Sequence, residues 1–168
     1  MAALPDSSAV SLEEYLRTSY DPDMEFVDGV LVERFGGWLH SLVQSNILVA
    51  LRRKYPHLKV VVEFRSRTTA SRYRIPDVTV LLTAPTTRYL LEAAFLVVEV
   101  LSEDDSMTRV IGKLQEYAAL GVPNIWLIDP RMKLISVYRP PALVEIEGDT
   151  IAVADGSVEL SRAEIFAE

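Results

Sequence analysis

Two carboxylates stand in segments whose other residues are typical of buried β-strands. Asp77 lies in RIPDVTVLL (residues 74–82), directly before a run of β-branched residues and leucine, and Glu99 lies within FLVVEVLS (residues 95–102). Aspartate is a poor strand residue, and burying an ionised carboxylate without a partner costs several kcal/mol. Because two such costs arise in neighbouring strands, we infer a shared cause. A divalent cation bound by both carboxylates is the simplest one.

The composition limits the kind of metal ion that could bind. The chain has no cysteine and two histidines, which excludes a thiolate zinc site and leaves mainly hard oxygen ligands. Such ligands suit Mg²⁺ or Mn²⁺. For Glu63, a third acid on the polar face of its predicted strand, pairing with arginine is an equally good explanation. The same competing interpretation applies to the other two acids, and the candidate partners are Arg65, Arg67, Arg72 and Arg74.

The charge distribution bears on nucleic acid as a partner. The net charge of the 168-residue chain is −7, which by itself disfavours a polyanion. Residues 52–74, however, contain eight Lys or Arg residues and one acid, so this stretch carries +7 and the rest of the chain −14. Such a stretch could hold phosphates while the remaining surface repels them. A solvated, arginine-rich hairpin explains the same pattern, and both interpretations stay open.

Helix and turn signals describe the chain before these strands. Ser11 predicts the N-terminal cap of a short helix, and Asp28-Gly29 between apolar runs predicts a two-residue β-hairpin. Apolar residues at helical spacing predict a longer helix over residues 37–55. His40 and Gln44 are four residues apart on this helix and therefore share a face.

The rest of the chain alternates strands with one further long helix. In the first strand, apolar residues alternate with Glu63, Arg65 and Arg67, so one face should be core and the other polar. This order predicts one mixed α/β domain, residues 1–168, in which helices flank a central sheet. The predicted elements are strands over residues 59–67, 73–82 and 95–102, a helix from about Ser106 to Leu120, strands over residues 124–129 and 133–139, and weaker strands with a short helix after Pro140.

No segment has the pattern of a membrane span or a secretory signal. No apolar run approaches the ~20 residues that cross a bilayer, and the N-terminal MAALPDSSAV lacks a basic region and a long apolar core. The lack of cysteine fits a reducing compartment. We therefore expect a cytoplasmic protein with no membrane partner.

An ordered set of short segments carries a family resemblance, from about Glu25 to Arg139. The segments are EFVDGVLVE, RIPDVTVL, LVVEVLS, GKLQEYAALGVPNIWLIDP and ISVYR, with His40 early in a helix. This set resembles the PD-(D/E)xK nuclease superfamily and, within it, the Uma-type branch of restriction endonucleases. The resemblance implies a restriction-endonuclease-like fold, in which helices flank a central mixed β-sheet and a β-hairpin lies near the N-terminus.

The resemblance also implies an active site. Asp77, Glu99 and the backbone carbonyl of Val100 would hold Mg²⁺ or Mn²⁺. The superfamily places a lysine two residues after the glutamate, where this chain has Leu101. In the Uma-type branch the lysine has moved to the following helix, and Lys113 matches it. Without the resemblance, Lys113 would be interpreted as a solvated helix lysine.

Further residues acquire expected roles from the same resemblance. Lys113 would orient the attacking water or stabilise the charge that develops on the phosphate. Glu63 would add a further contact to the site, and His40 and Gln44 would face it, while Glu25 is an outside candidate. The residues expected to hold the nucleic-acid phosphates are Arg65, Arg67, Arg72 and Arg74.

The expected function is Mg²⁺-dependent hydrolysis of phosphodiester bonds in DNA by an endonuclease. A homodimer is expected, because a double-strand break needs two active sites. One alternative is a catalytically inactive relative that binds nucleic acid or a protein, since position 101 is leucine and the net charge is negative. Another is an interaction domain whose partner meets exposed strands at residues 124–129 and 135–139, with Trp126 in the core.

Overall fold

The computed structural model describes residues 9–168. The inference that no secretory signal is present rests partly on residues 1–8, which lie outside this range. Within it, no helix is both long and apolar enough to cross a membrane. The elements are α1 (Leu12–Arg17), β1 (Glu25–Val27), β2 (Val30–Val32), α2 (Trp38–Lys54), β3 (Lys59–Val62), β4 (Ser66–Thr69), β5 (Arg72–Arg74), β6 (Val78–Leu81), β7 (Leu96–Val100), α3 (Met107–Leu120), β8 (Asn124–Asp129), β9 (Leu134–Arg139), β10 (Ala142–Glu145), β11 (Thr150–Ala152), β12 (Glu159–Ser161) and α4 (Arg162–Ile165).

A six-stranded mixed sheet in the order β10-β9-β8-β7-β6-β3 forms the centre of the fold. Strands β7 and β8 are parallel and are connected by α3, whereas the other neighbouring strands pair antiparallel. Helix α3 ends at Gly121, whose φ of 100° lies in the left-handed region that glycine favours. The predicted mixed α/β fold with a central sheet is confirmed.

Alternation along β7 gives the central sheet two different faces. Val98 belongs to the core beneath α2, together with Val43 and Ile47 of that helix. Val97 belongs to the core beneath α3, together with Leu114. Successive strand residues point to opposite faces, so Glu99 shares the α3 face with Val97. The packing of β7 therefore aims an acid at the helix that carries Lys113.

A smaller sheet, in the order β2-β1-β5-β4, contains the predicted hairpin. Asp28 and Gly29 have φ values of 50° and 90°, as a tight two-residue turn requires, so the predicted hairpin is confirmed. Behind this sheet, Tyr15 of α1 packs with Phe26 and Tyr73 in a small aromatic core.

Two strands predicted as continuous are each divided between the two sheets. Residues 59–67 form β3 in the central sheet and β4 in the smaller one, because Glu63 has a φ of 52° that interrupts the strand. Residues 73–82 likewise form β5 and β6, separated by a link that contains Pro76. The predicted alternation across residues 59–67 is therefore wrong. The chain crosses between the sheets at both places.

Strands β8 and β9, considered above as a surface for a partner, are internal strands of the central sheet. Trp126 is fully buried, as predicted. The expectation that these strands are exposed is wrong, because β7 covers one side of the pair and β10 the other.

Arg65 lies at the first crossing and fastens α1 to the smaller sheet. Its side chain is 7% exposed and forms an ion pair with Asp23. The guanidinium also donates to the carbonyl oxygens of Tyr15 and Thr18, both over 3.1 Å, and its carbon lies 4.4 Å from the centre of the Tyr15 ring. Arg65 therefore has a structural role in this conformation.

We expect Arg65→Ala to lower the free energy of unfolding by about 3 kcal/mol, because it leaves Asp23 and two carbonyls without their partner. Urea unfolding followed by circular dichroism measures the change. Arg67→Ala is the matched control, since Arg67 is exposed, and its effect should stay within about 0.5 kcal/mol. Equal losses in the two variants would contradict this role of Arg65.

Candidate active site

A cleft of about 280 Å³ lies where the ends of β6 and β7 approach the smaller sheet and the start of α2. Acidic and basic side chains alternate around it. The charged and titratable residues that line it are Glu25, Glu33, Arg34, His40, Arg72, Arg74, Asp77, Glu99, Asp105, Arg109, Lys113 and Glu116. The cleft therefore contains Asp77, Glu99 and Lys113 of the predicted site.

The register of β6 and β7 brings the two strand carboxylates together. Val78 pairs with Val98, so continuing the register by one residue sets Asp77 opposite Glu99. Residues opposite each other in an antiparallel pair project to the same face. In addition, the backbone N–H of Val100 donates to Oδ2 of Asp77 over 2.7 Å. This bond ties Asp77 to the end of β7.

Three side chains, from α2 and from the connection before it, contact Asp77. Arg34 donates from Nη2 to Oδ1 over 2.9 Å, and Nε2 of His40 lies 3.1 Å from the same oxygen. Gln44 donates from Nε2 to the backbone carbonyl of Asp77 over 3.0 Å. His40 and Gln44 thus share a helix face and reach one residue of the cleft.

Helix α3 supplies the partners of Glu99. The hydroxyl of Tyr117 donates to Oε1 over 2.6 Å, and Nζ of Lys113 donates to Oε2 over 2.9 Å. Lys113 also lies 2.9 Å from Oε1 of Glu25, and its side chain is 16% exposed. Lys113 therefore points into the cleft between two carboxylates, not into solvent.

The electrostatic environments of the two strand acids differ. Burial, together with the negative charges of Asp77 and Glu25, raises the pKa of Glu99 to about 7, although Lys113 opposes this change. Burial acts on Asp77 in the same direction, but the hydrogen bond and charge of His40, with the charges of Lys113 and Arg34, lower its pKa. Asp77 is therefore ionised, whereas Glu99 binds its proton more tightly, chiefly because it is buried.

Neighbouring acids raise the pKa values of the two basic residues His40 and Lys113. Burial alone would lower the pKa of His40, but its hydrogen bond to Asp77 and the charge of that acid raise it. Burial likewise opposes the charge on Lys113, but Glu99 and Glu25 raise its pKa above the ordinary value. Both residues therefore act as hydrogen-bond donors in this arrangement.

A second layer of ion pairs joins the smaller sheet to α3. Arg74 lies 3.0 Å from Glu25 and 2.6 Å from Glu116, and Arg72 lies 2.8 Å from the same Glu116. Arg72 also pairs with Asp28 of the hairpin turn over 2.6 Å. Glu25 is therefore held by Arg74 on one side and by Lys113 on the other.

Much of the basic stretch at residues 52–74 is neutralised by acids from distant parts of the chain. Arg72 and Arg74 line the cleft, but each forms ion pairs, and Arg65 is buried elsewhere. Arg67 pairs in register with Tyr73, whose ring lies in the aromatic core on the face opposite to Arg72 and Arg74. The structure thus brings two of the four predicted arginines to the cleft.

Glu63 does not line the cleft. Its side chain is 50% exposed, and its nearest cationic group is Arg34, whose Nη1 lies 3.6 Å from Oε1. The side chain of Glu63 reaches Asp77 only through this arginine, although the backbone N–H of Glu63 donates to the backbone carbonyl of Asp77 over 3.4 Å. Its predicted contact with the site is therefore indirect in this conformation.

For three residues that line the cleft, the sequence gives little or no indication of that position. Glu25 is 2% exposed, although a hairpin residue of this type is usually at the surface. Glu116 lies three residues after Lys113 and one before Tyr117, so a polar helix face beside the apolar stripe was a readable signal. Arg34 follows a short strand and precedes a glycine pair, and no local pattern there indicates burial.

The donor chemistry of the cleft fits a hard divalent cation. Asp77 and Glu99 supply carboxylate oxygens beside Val100, and burial with the neighbouring charges of Asp77 and Glu25 raises the pKa of Glu99. Within residues 9–168, no group of three or more His, Cys, Asp or Glu side chains is arranged to hold a metal ion. A cation would therefore have to replace one of the present partners of these acids and take backbone or water oxygens as further ligands.

Comparisons with known proteins give a family and a fold. A model of the Uma2 family, described as "Putative restriction endonuclease", matches residues 12–163. A crystal structure described as a "putative nuclease belonging to DUF820", from Anabaena variabilis ATCC 29413, is 23% identical with a TM-score of 0.79, and the match covers 94% of this chain and 98% of that chain. This likeness confirms the predicted fold class.

A second solved structure is much less similar. It is a DrdV–DNA complex, 16% identical over 64% of this chain and 9% of that chain, with a TM-score of 0.32. A search of the curated proteins found no match.

We expect Glu99→Gln to change how stability depends on pH. The pKa of Glu99 in the folded protein, about 7, lies above its ordinary value of 4.5, so the folded state binds more protons between these values. The free energy of unfolding of the wild type therefore loses a contribution as the pH rises through this window. Because the amide cannot ionise, the variant should gain about 2 kcal/mol relative to the wild type between about pH 5 and about pH 8.

Urea unfolding at the two pH values measures this difference. Glu145→Gln, an exposed acid on β10, is the matched control and should differ from the wild type by the same amount at both. If the difference for Glu99→Gln did not change with pH, Glu99 would not have a raised pKa.

Proposed function

Because the chain belongs to the Uma2 family of restriction-endonuclease-like proteins, we propose that it is a metal-dependent endonuclease that hydrolyses phosphodiester bonds in DNA. The observation that carries the proposal is the convergence of Asp77, Glu99 and Lys113 on one cleft. Two carboxylates and an amine from three different segments of the chain meet there. Burying three charged groups is electrostatically costly, and a purely structural role would not require it.

The proposed metal ligands are Asp77, Glu99 and the backbone carbonyl of Val100, and the ion is Mg²⁺ or Mn²⁺. Bound there, the ion would supply Lewis acidity to a phosphate oxygen and to the attacking water. The acids and their geometry support this assignment, because hard oxygen donors on a shared face are what these ions prefer.

The residues around the metal ligands have proposed roles that follow from their contacts. Lys113, held as an ammonium by Glu25 and Glu99, would orient the attacking water or stabilise the charge that develops on the phosphate. His40 is a positioning residue that keeps the Asp77 carboxylate oriented through a 3.1 Å contact. The side chain of Glu63 would act on the site only through Arg34.

The cleft also offers cationic groups to a DNA backbone. Arg72 is 36% exposed at the rim, and the exposed Arg109 lines the same cleft. Because the chain as a whole carries −7, we propose that phosphate binding is confined to this cleft. Arg65 and Arg67 have no part in it in this conformation, since one is buried and the other lies on the far face.

The assembly and setting of the enzyme are further parts of the proposal. We propose that residues 1–168 act as one domain in the cytoplasm and form a homodimer, because cutting both strands of a duplex needs two active sites.

One observation favours a second candidate function. Asp77 and Glu99 both have cationic partners from their own chain, so the site is electrostatically satisfied to a large extent without a metal. A catalytically inactive module with this fold would bind nucleic acid or a protein through the same cleft. Calorimetry with Mn²⁺ distinguishes the two, because only the nuclease requires binding that Glu99→Gln removes.

We expect the purified protein to cleave DNA in Mg²⁺ and to stop in EDTA. Asp77→Asn, Glu99→Gln and Lys113→Met should each lower the cleavage rate about a hundredfold or more, because each removes a group placed at the reacting phosphate. Glu63→Gln should lose much less, since its contact is indirect.

The matched control for these variants is Glu145→Gln, an exposed acid outside the cleft, which should cleave at the wild-type rate. Circular dichroism establishes that each variant is folded. Undiminished cleavage by folded Asp77→Asn would refute the assigned site.

A further inference from the structure

Arg34 is a nearly buried cation in an otherwise exposed connection. It lies between β2 and α2, where Glu33, Phe35, Gly36 and Gly37 are all exposed, yet its own side chain is only 15% exposed. The guanidinium turns into the cleft and contacts Asp77 over 2.9 Å. The mechanism proposed above gives Arg34 no step, so its burial needs a separate explanation.

The contact of Arg34 competes with the proposed role of Asp77. Oδ1 accepts from Arg34 and faces His40, and Oδ2 accepts from the backbone of Val100, so both oxygens of the carboxylate are engaged. A guanidinium and a divalent cation on the same oxygen would repel each other strongly in a site with little water. A metal ion bound at Oδ1 of Asp77 would therefore displace Arg34.

The connection that carries Arg34 has little to hold it in place. The backbone atoms of residues 34–36 form no hydrogen bond with any residue in the range 9–168. The segment passes close over the ring of His40, since a Cβ added at Gly36 would lie 3.2 Å from Nδ1. The ion pair with Asp77 is thus the principal polar contact of Arg34, with Glu63 more distant at 3.6 Å.

We propose that Arg34 is an exchangeable counter-ion of Asp77. Its guanidinium neutralises the carboxylate while no divalent cation is bound, and it turns to a DNA phosphate when the carboxylate takes up the cation. The inference rests on the proposed nuclease function. A guanidinium suits both positions, because its planar N–H donors bind carboxylates and phosphates with the same geometry. Binding of metal and binding of DNA then strengthen each other through one side chain.

The first test measures the affinity for Mn²⁺ by calorimetry, without DNA. Arg34→Gln should bind Mn²⁺ about tenfold more tightly than the wild type, because the competing charge is gone. Arg139→Gln is the matched control: it removes one positive charge from an exposed position outside the cleft and should change the affinity less than about twofold. Equal affinities in the two variants would overturn the proposal.

The second test measures binding of a short DNA duplex by fluorescence anisotropy, in Ca²⁺ and in EDTA. Ca²⁺ takes the same oxygen ligands and serves as a probe of the metal-bound state. Arg34→Gln should weaken DNA binding about tenfold in Ca²⁺ and leave it unchanged in EDTA, where Arg34 is occupied by Asp77. An equal loss under both conditions would make Arg34 an ordinary phosphate contact and refute the exchange.

A second variant keeps the test decisive if Arg34→Gln does not fold. Arg34→Lys retains the charge but not the planar donors, so its Mn²⁺ affinity should lie between those of the wild type and Arg34→Gln. A Lys variant that binds Mn²⁺ with the wild-type affinity counts against the proposal.

The two levels of inference fail in different ways. If the wild type gives no Mn²⁺ binding that Asp77→Asn removes, the nuclease assignment itself fails. If that binding is present but Arg34→Gln behaves like Arg139→Gln, only the counter-ion exchange fails.

Discussion

The structure depends on the mutual neutralisation of buried charges where the central sheet and the smaller, hairpin-containing sheet meet. Glu25, Asp77 and Glu99 are each less than a tenth exposed, and each is held by cations from another element of the fold. A buried carboxylate is tolerable only while such partners are present, since removing one partner leaves an uncompensated charge. The ion pairs therefore do more than add stability, because they fix how the hairpin sheet, α2 and α3 can be assembled around the central sheet.

The position of these acids follows from the path of the chain. Besides the passage through α2, the backbone crosses between the central and the smaller sheet at residues 63–65 and 75–77, and Asp77 stands at the second of these short crossings, immediately before β6. Because the crossing ends one strand and starts another, the carboxylate lies at a sheet end with access to a cleft. By contrast, Thr79 inside β6 is fully buried, and its hydroxyl has no hydrogen-bond partner among the described residues.

Part of the site could be predicted from the sequence because charged residues stand out within apolar segments. Asp77 and Glu99 interrupt apolar segments, and that conflict was readable, as were the hairpin turn at Asp28 and the end of α3 at Gly121. The family resemblance directed attention to Lys113, whose sequence position alone favoured a solvated residue.

The parts that could not be predicted are those that depend on partners distant in the sequence. Arg65 pairs with Asp23, and Arg34 pairs with Asp77, across 42 and 43 residues of chain. An arginine in a strand or a loop is equally compatible with solvent and with burial, so local pattern does not distinguish the two. The break at Glu63 was missed for a related reason, since a non-glycine residue with positive φ has no reliable local signal.

Glu116 binds two arginines at once, and this limits which substitutions the surrounding positions can accept during evolution. One helix carboxylate holds both Arg72 and Arg74, and these arginines hold Asp28 and Glu25 in turn. A substitution at any one of these five positions leaves a charge without its partner. Compensating substitutions at several of them can restore neutrality. We therefore expect the five positions to vary as a group among descendants of a common ancestor, so that the residues of the cleft constrain the hairpin turn at Asp28.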